Sequence, residues 1–362
     1  MNARERFVKT FRFEKTDRPF RWEFPGIWPT ALEKWQADGL PAGVVPEEYF
    51  ELDPLEFLPL AGAWTLDPFV PMFERQVLED DGTHQVIIDT DGIKKKIMKT
   101  DSFASMPSFL EFPVKTREDY REKILWRLDP ENDGRFPPDW KQRAAAWQNR
   151  EHPLGMFVIG PFGHLRNLMG DEELMYLLYD DPGFVHEMLA RWCDFYVRLL
   201  KKVCADVTPD FIMVWEDNCY KNGPLISPAF FETFMSPPLT RVIAAAKALG
   251  IPGIIVDTDG DCSSMLPVYL ACGANGFYPF EVQSGMDIVK IRQQYGNRFV
   301  IIGGLDKRTL AQDADAVLRE LEYKMPPLVA SGGFIPMLDH SVPTDARYDL
   351  FRLFLEKVRS RH

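Results

Sequence analysis

Gly253-Ile254-Ile255-Val256 runs straight into Asp257-Thr258-Asp259-Gly260-Asp261. A short apolar run without polar alternation reads as a strand buried on both faces, the habit of a parallel sheet. The carboxylates at its C-terminal end then stand where parallel α/β folds gather their chemistry. The same pattern recurs on either side. Phe211 to Trp215 leads into Glu216-Asp217, and Gly276 to Phe280 leads into Glu281. Phe299 to Ile302 leads through Gly303-Gly304-Leu305 into Asp306-Lys307, and Phe334 to Leu338 leads into Asp339-His340. One polar strand end would be noise, whereas five in succession describe the acidic floor of a pocket.

Between these runs the chain reads as helix. Ser227-Pro228 opens a helix expected to reach Leu249, with serine as N-cap, proline at N1 and Gly250 closing it. Pro237-Pro238 should break it midway. Further helices are expected over Asp261–Ala271, Asp287–Tyr295, Asp313–Lys324 and Tyr348–Arg359, with more helix across Glu172–Cys204. Met156 to Ile159 is an earlier strand that opens the loop Gly160-Pro161-Phe162-Gly163-His164. Pro19 to Phe24 reads as the first strand, ending at Trp22-Glu23. Glu74 to Lys99 is different in kind. It alternates polar and apolar residues around Asp81-Gly82 and Asp91-Gly92, the signature of a three-stranded antiparallel meander packed on the main domain.

Composition narrows the function. The 362 residues carry 42 basic and 54 acidic side chains, a net charge of −12, which disfavours nucleic acid and strongly polyanionic substrates. No export signal and no membrane-length apolar stretch is visible, and the five cysteines form no CxxC pair. A cytoplasmic enzyme with reduced thiols is expected. No glycine-rich phosphate loop, GxSxG elbow or HExxH helix is present. Of the six histidines, His340 follows a buried run directly and His164 follows the strand at 156–159.

These residues resemble the uroporphyrinogen decarboxylase superfamily in order and spacing, from Pro19 to Val358. Gly160-Pro161-Phe162-Gly163 looks like that family's Gly-x-Pro loop, and Asn222 to Phe230 resembles its Ser-Pro-x-x-Phe segment. Asp257 to Gly260 is similar to its His-Ser-Asp-Gly strand end, Gly303 to Asp306 to its Gly-Asn-Leu-Asp end, and Leu338 to Pro343 to its Gly-His-Gly-Ile-x-Pro. The resemblance implies an α/β fold, a single (β/α)₈ TIM-barrel domain over residues 1–362 with the meander at 74–99 inserted. It also implies pairing into a homodimer.

True decarboxylases carry an Arg-Gln-Ala-Gly-Arg-Tyr element near the N-terminus that holds the substrate's carboxylates. Here the stretch reads Trp22-Glu23-Phe24-Pro25-Gly26-Ile27-Trp28, with no arginine after Arg21. Buried carboxylates without cations are unfavourable, so a smaller, flatter, less charged ligand is expected. The other branch holds zinc-dependent, corrinoid-linked methyltransferases, whose metal sits on a His-x-Cys strand end and a later cysteine. Those positions fall here on Asp257, Asp259 and His340.

The resemblance therefore implies a methyltransferase that moves a methyl group from a small O- or N-methyl donor to a separate corrinoid protein. Zinc would be held by some of Glu216, Asp257, Asp259 and His340, and the catalytic groups would be Glu216, Asp257 and His340. Trp22, Trp28, His164, Tyr220, Glu281 and Asp306 are the expected substrate contacts. A metal-free decarboxylase or lyase acting on a small aromatic acid stands as the alternative, and a non-catalytic ligand-binding barrel as a third.

Overall fold

The structure, a computed structural model, describes residues 1–62, 68–99 and 107–360. Its centre is a curled parallel sheet of seven strands in sequential order. We label them β1 (Glu56–Phe57), β2 (Leu154–Ile159), β3 (Phe211–Trp215), β4 (Gly253–Asp257), β5 (Gly276–Tyr278), β6 (Val300–Ile302) and β7 (Phe334–Ile335). Every residue of β4 is buried, as its unbroken apolar run requires. In register, Asp257 stands opposite Trp215 of β3 on one side and Tyr278 of β5 on the other.

The inner face of the sheet packs on itself. Phe211, Met213, Ile255, Tyr278, Val300 and Ile302 form a lumen core with Phe20 and Trp22. Gly155 in β2 is required by the close approach of Phe211, since a Cβ there would lie 2.3 Å from its ring. Helix α1 (Ala3–Phe11) seals the lower end of the lumen. Asn2 and Glu5 start it with a reciprocal capping box, and the Phe7 ring lies 5.0 Å from that of Phe211. The helices outside the sheet cover a second, larger apolar layer.

The lower end is also clamped by charge. Asp210, just before β3, accepts from Arg4 at 2.9 Å, from two nitrogens of Arg150 at 2.8 and 3.1 Å, and from the Leu154 N–H at 3.0 Å. Asp53 pairs in the same way with Arg6 and Arg18.

Two expectations need correction. Pro19 to Phe24 is not a ladder strand; the first strand is β1. Residues 20–28 still run between β1 and β7, tied by the Asp53 N–H to the Arg21 carbonyl and by paired bonds of Trp28 and Gly26 with Val342. Pro19 and Pro25 lack the N–H a ladder needs, so side chains substitute, as when Glu23 accepts from the Leu338 N–H at 3.2 Å. The meander forms its three expected strands over 74–99, Gln76–Asp80, His84–Ile88 and Lys94–Met98, but its sheet gains a fourth beyond them, Ser108–Glu111. Both Asp-Gly turns hold, with Gly82 and Gly92 at φ of 88° and 82°.

The 227–249 helix breaks at Met235 into Pro228–Phe234 and Ser236–Ala248, just ahead of the proline pair. The helix expected from Asp261 begins only at Leu266, and the one from Asp313 continues through Pro326-Pro327 to Ser331. Among the described residues no helix is long and apolar enough to cross a membrane.

Candidate active site

The strand ends meet at the upper mouth of the sheet, where a cavity of about 470 Å³ is lined by Asp217, Tyr220, Asp259, Glu281 and Arg308. A larger cavity of about 810 Å³ lies at the other end, beside Phe13 and Ser331, away from every strand end that carries chemistry. We therefore place the site at the mouth.

Asp257 is 8% exposed, and burial, then repulsion from Asp259 and Asp217, holds its carboxyl well above the usual range. Asp259 is more open, with 37% of its side chain exposed; it too is raised, by burial first and then by Asp217 and Glu281. Water in the cavity softens that effect, so Asp257 is the stronger proton holder of the two. His340 Nε2 lies 3.7 Å from Asp259. Burial, then Lys307, lowers the imidazole to about 4, so at neutral pH this contact is a neutral ring beside a carboxyl, not an ion pair.

Two further carboxyls complete the mouth, and neither was among the expected site residues. Asp339 is buried and accepts from the backbone of Val282 and Lys307; burial raises it to about 6. Glu23 is buried too, and burial pushes its carboxyl well above the usual range. Beside it Tyr278 donates its hydroxyl to the Phe24 carbonyl at 2.7 Å. A strand-end carboxylate after a buried run was the signal for Asp339. Glu23 had only its adjacency to Trp22.

Glu216 behaves differently. One carboxylate oxygen accepts from the Phe162 and Gly163 N–H groups at 3.1 and 3.3 Å, at the start of helix α2 (Pro161–Met169). The other oxygen has no partner among the described residues. Burial raises the group to about 8. A Cβ on Gly160 would sit 2.3 Å from the Glu216 carboxyl carbon, so Gly160→Ala should push the side chain off the helix N-terminus. We expect a loss of about 1–3 kcal/mol in a denaturant melt; an unchanged midpoint would show that the carboxyl is not packed there.

The other expected contacts divide. Tyr220, Asp259 and Glu281 line the cavity. Glu281 sits 3.9 Å from Lys307 at the rim, and Asp306 is held by Arg308 at 2.7 Å. Asp217 pairs with Arg166 at 2.9 Å. Its φ of 44° turns it toward α2. His164 is fully buried, neither ring nitrogen has a partner among the described residues, and burial lowers it to about 3. It does not reach the cavity. Trp22 packs in the lumen against Phe24 at 5.1 Å, and Trp28 packs against the outer core.

The family profile described as uroporphyrinogen decarboxylase (URO-D) matches residues 105–361. The chain belongs to the uroporphyrinogen decarboxylase family. No curated protein matches the sequence. A methyltransferase from Methanosarcina mazei shares the fold over 99% of both chains, at 14% identity and a TM-score of 0.61. A B12-independent methionine synthase from Shewanella sp. aligns over 79% of this chain and 72% of its own, at 10% identity and a TM-score of 0.39, too low to argue from.

Within this family frame the metal expectation can be tested on the side chains. Glu216 is committed to the start of α2, and among the described residues no three His, Cys, Asp or Glu side chains gather closely enough to hold an ion. Sulfur offers no substitute: Cys219 and Cys262 are buried and, among the described residues, join no such group. Glu216, Asp257, Asp259 and His340 therefore do not fit a zinc ion as arranged.

Proposed function

We propose that this family member is a methyltransferase that takes a methyl group from a small O- or N-methyl donor at the barrel mouth and passes it to a corrinoid carried by a separate protein. The observation that carries this reading over decarboxylation is Glu23. Its carboxyl occupies the mouth on the segment where the decarboxylases present arginines, beside the half-buried ring of Phe24. A substrate bearing several carboxylates would find no cation there, only a second acid and an apolar ring, at a cost of several kcal/mol. The full-length fold likeness to a methyltransferase supports the same branch.

The residues present suit methyl release. For an O-methyl donor, the C–O bond breaks with its electron pair on oxygen, and oxygen takes the proton held by the Asp257–Asp259 pair. For an N-methyl ammonium donor, the pair stays on nitrogen and a neutral amine leaves without a proton. In both cases the methyl carbon bonds to the acceptor. The cavity, at about 470 Å³, is too small to enclose a corrin together with a donor, which favours an acceptor presented from outside.

The test is methyl transfer from a panel of isotopically labelled methoxybenzenes and N-methylated ammonium compounds to reduced cobalamin, followed by its absorption spectrum. Protein-dependent transfer is expected, reduced about a hundredfold in Asp257→Asn. Release of carbon dioxide from aromatic acids, with no methyl transfer, would establish the decarboxylase reading instead.

A further inference from the structure

The donor class stands open between oxygen and nitrogen, and the side chains of the mouth favour one of them. Among the described residues, the cations near the mouth are committed to other partners: Arg166 to Asp217 at 2.9 Å, Lys307 to Glu281 at 3.9 Å, and Arg308 to Asp306 at 2.7 Å. Lys221 lies on the exposed rim. Among the described residues Glu23, Asp257 and Asp259 pair with no lysine or arginine, and Asp259 has the His340 imidazole at 3.7 Å. Asp257 is the extreme case. It is more than nine-tenths buried, stands two residues beyond lumen-facing Ile255 on the same face of β4 and so points into the mouth, and accepts no hydrogen bond from a described group.

Next to these carboxyls stands an aromatic wall. Phe24 is half-buried, with ring centroids of Trp22, Tyr278, Phe57 and Phe157 at 5.1, 5.5, 5.9 and 6.1 Å. Phe57 and Phe157 stack at 4.3 Å and are themselves only half-buried. Asp257 is the register partner of Tyr278, while Phe157 registers with Met213 and Phe57 with Gly155, so the rings continue down the lumen from the layer of the carboxyls. Aromatic faces present negative charge to a ligand, as carboxylates do.

One kind of ligand satisfies both. An anion keeps these carboxyls protonated and is repelled by the rings. A neutral arene covers the rings but brings no counter-charge on which Asp257 could ionise. A hydrated inorganic cation pairs with the carboxylate but does not displace water from the rings. We propose that the mouth binds a quaternary methylammonium compound, its N-methyl groups against Phe24 and its neighbours and its charge facing Asp257 and Glu23. Only its role as methyl donor rests on the methyltransferase reading. In that role the C–N bond breaks with its pair on nitrogen, the methyl carbon bonds to the acceptor, and a neutral tertiary amine leaves.

The test is calorimetric titration of the full chain with tetramethylammonium chloride, with neopentyl alcohol as its uncharged counterpart of like shape, and with methoxybenzene. Saturable tetramethylammonium binding is expected, with neopentyl alcohol at least about tenfold weaker. Asp257→Asn and Phe24→Leu should each weaken tetramethylammonium about tenfold, with thermal melts confirming that each variant is folded. The proposal is overturned if tetramethylammonium does not bind, or if either neutral probe binds as tightly. Ammonium binding without any methyl transfer would sustain this inference and defeat the methyltransferase reading; methyl transfer from methoxybenzene without ammonium binding would do the opposite.

Discussion

Replacing Glu216 by glutamine should stabilise the protein at neutral and alkaline pH, by an amount that grows as pH rises. The Glu216 carboxyl is fully buried and ionises at about 8, against an ordinary value of 4.5. Its folded-state value is raised, so the stability it contributes is fully present below 4.5 and is lost as pH rises toward 8. In that window the unfolded chain releases the proton while the folded chain keeps it. At pH 7 the loss amounts to about 3 kcal/mol, which glutamine, having no proton to release, does not suffer. The amide oxygen can still accept from the Phe162 and Gly163 N–H groups. The quantity to read is the difference between wild type and variant in urea melts across pH, which cancels any pH-independent effect of the amide. It should widen by roughly 1.4 kcal/mol per pH unit from about pH 5 to about pH 8. A constant difference would mean that the carboxyl ionises normally in the fold.

Asp210→Ala should be the most damaging single change at the lower end. It leaves Arg150, whose side chain is 4% exposed, without its counter-charge, and removes the acceptor for Arg4 and the Leu154 N–H. Breaking a buried pair from one side costs about 3–5 kcal/mol, because the remaining charge stays buried. Asp210→Asn keeps one acceptor oxygen and should recover part of the loss. Both are measured by chemical denaturation, and ligand binding at the mouth of the folded fraction should not change. A loss under about 1 kcal/mol for the alanine variant would show that the arginines find water or other acceptors.

Much of this architecture is legible in the sequence because strands buried on both faces must be apolar throughout. That is why β3 to β6 fall where Phe211, Gly253, Gly276 and Phe299 announce them. β1 escapes because two residues between Pro54 and Pro59 carry no period. The site is legible to the same depth. A carboxylate after a buried run marks Asp257, Asp259 and Glu281; the last two line the cavity, and Asp257 ends β4 beneath it. Direction is what a linear pattern cannot carry. Glu216 follows its run just as faithfully, yet Gly160 leaves room for it to fold back under α2. Ionic partners escape for a similar reason: Asp217 and Lys221 are close in sequence, but the backbone at Asp217 presents the carboxyl to Arg166. Glu23 belongs to the mouth only because a distant backbone donor, Leu338, fixes it there.

The first dozen residues act as a cork. Phe7 and Phe11 close the cylinder from below, and the N-terminal ammonium is itself moored to Asp17 at 3.1 Å. Trimming this segment as though it were a dispensable tail would open a passage for solvent along the lumen toward Asp257. The dry surroundings on which its chemistry depends would flood from the end opposite to the one where substrate arrives.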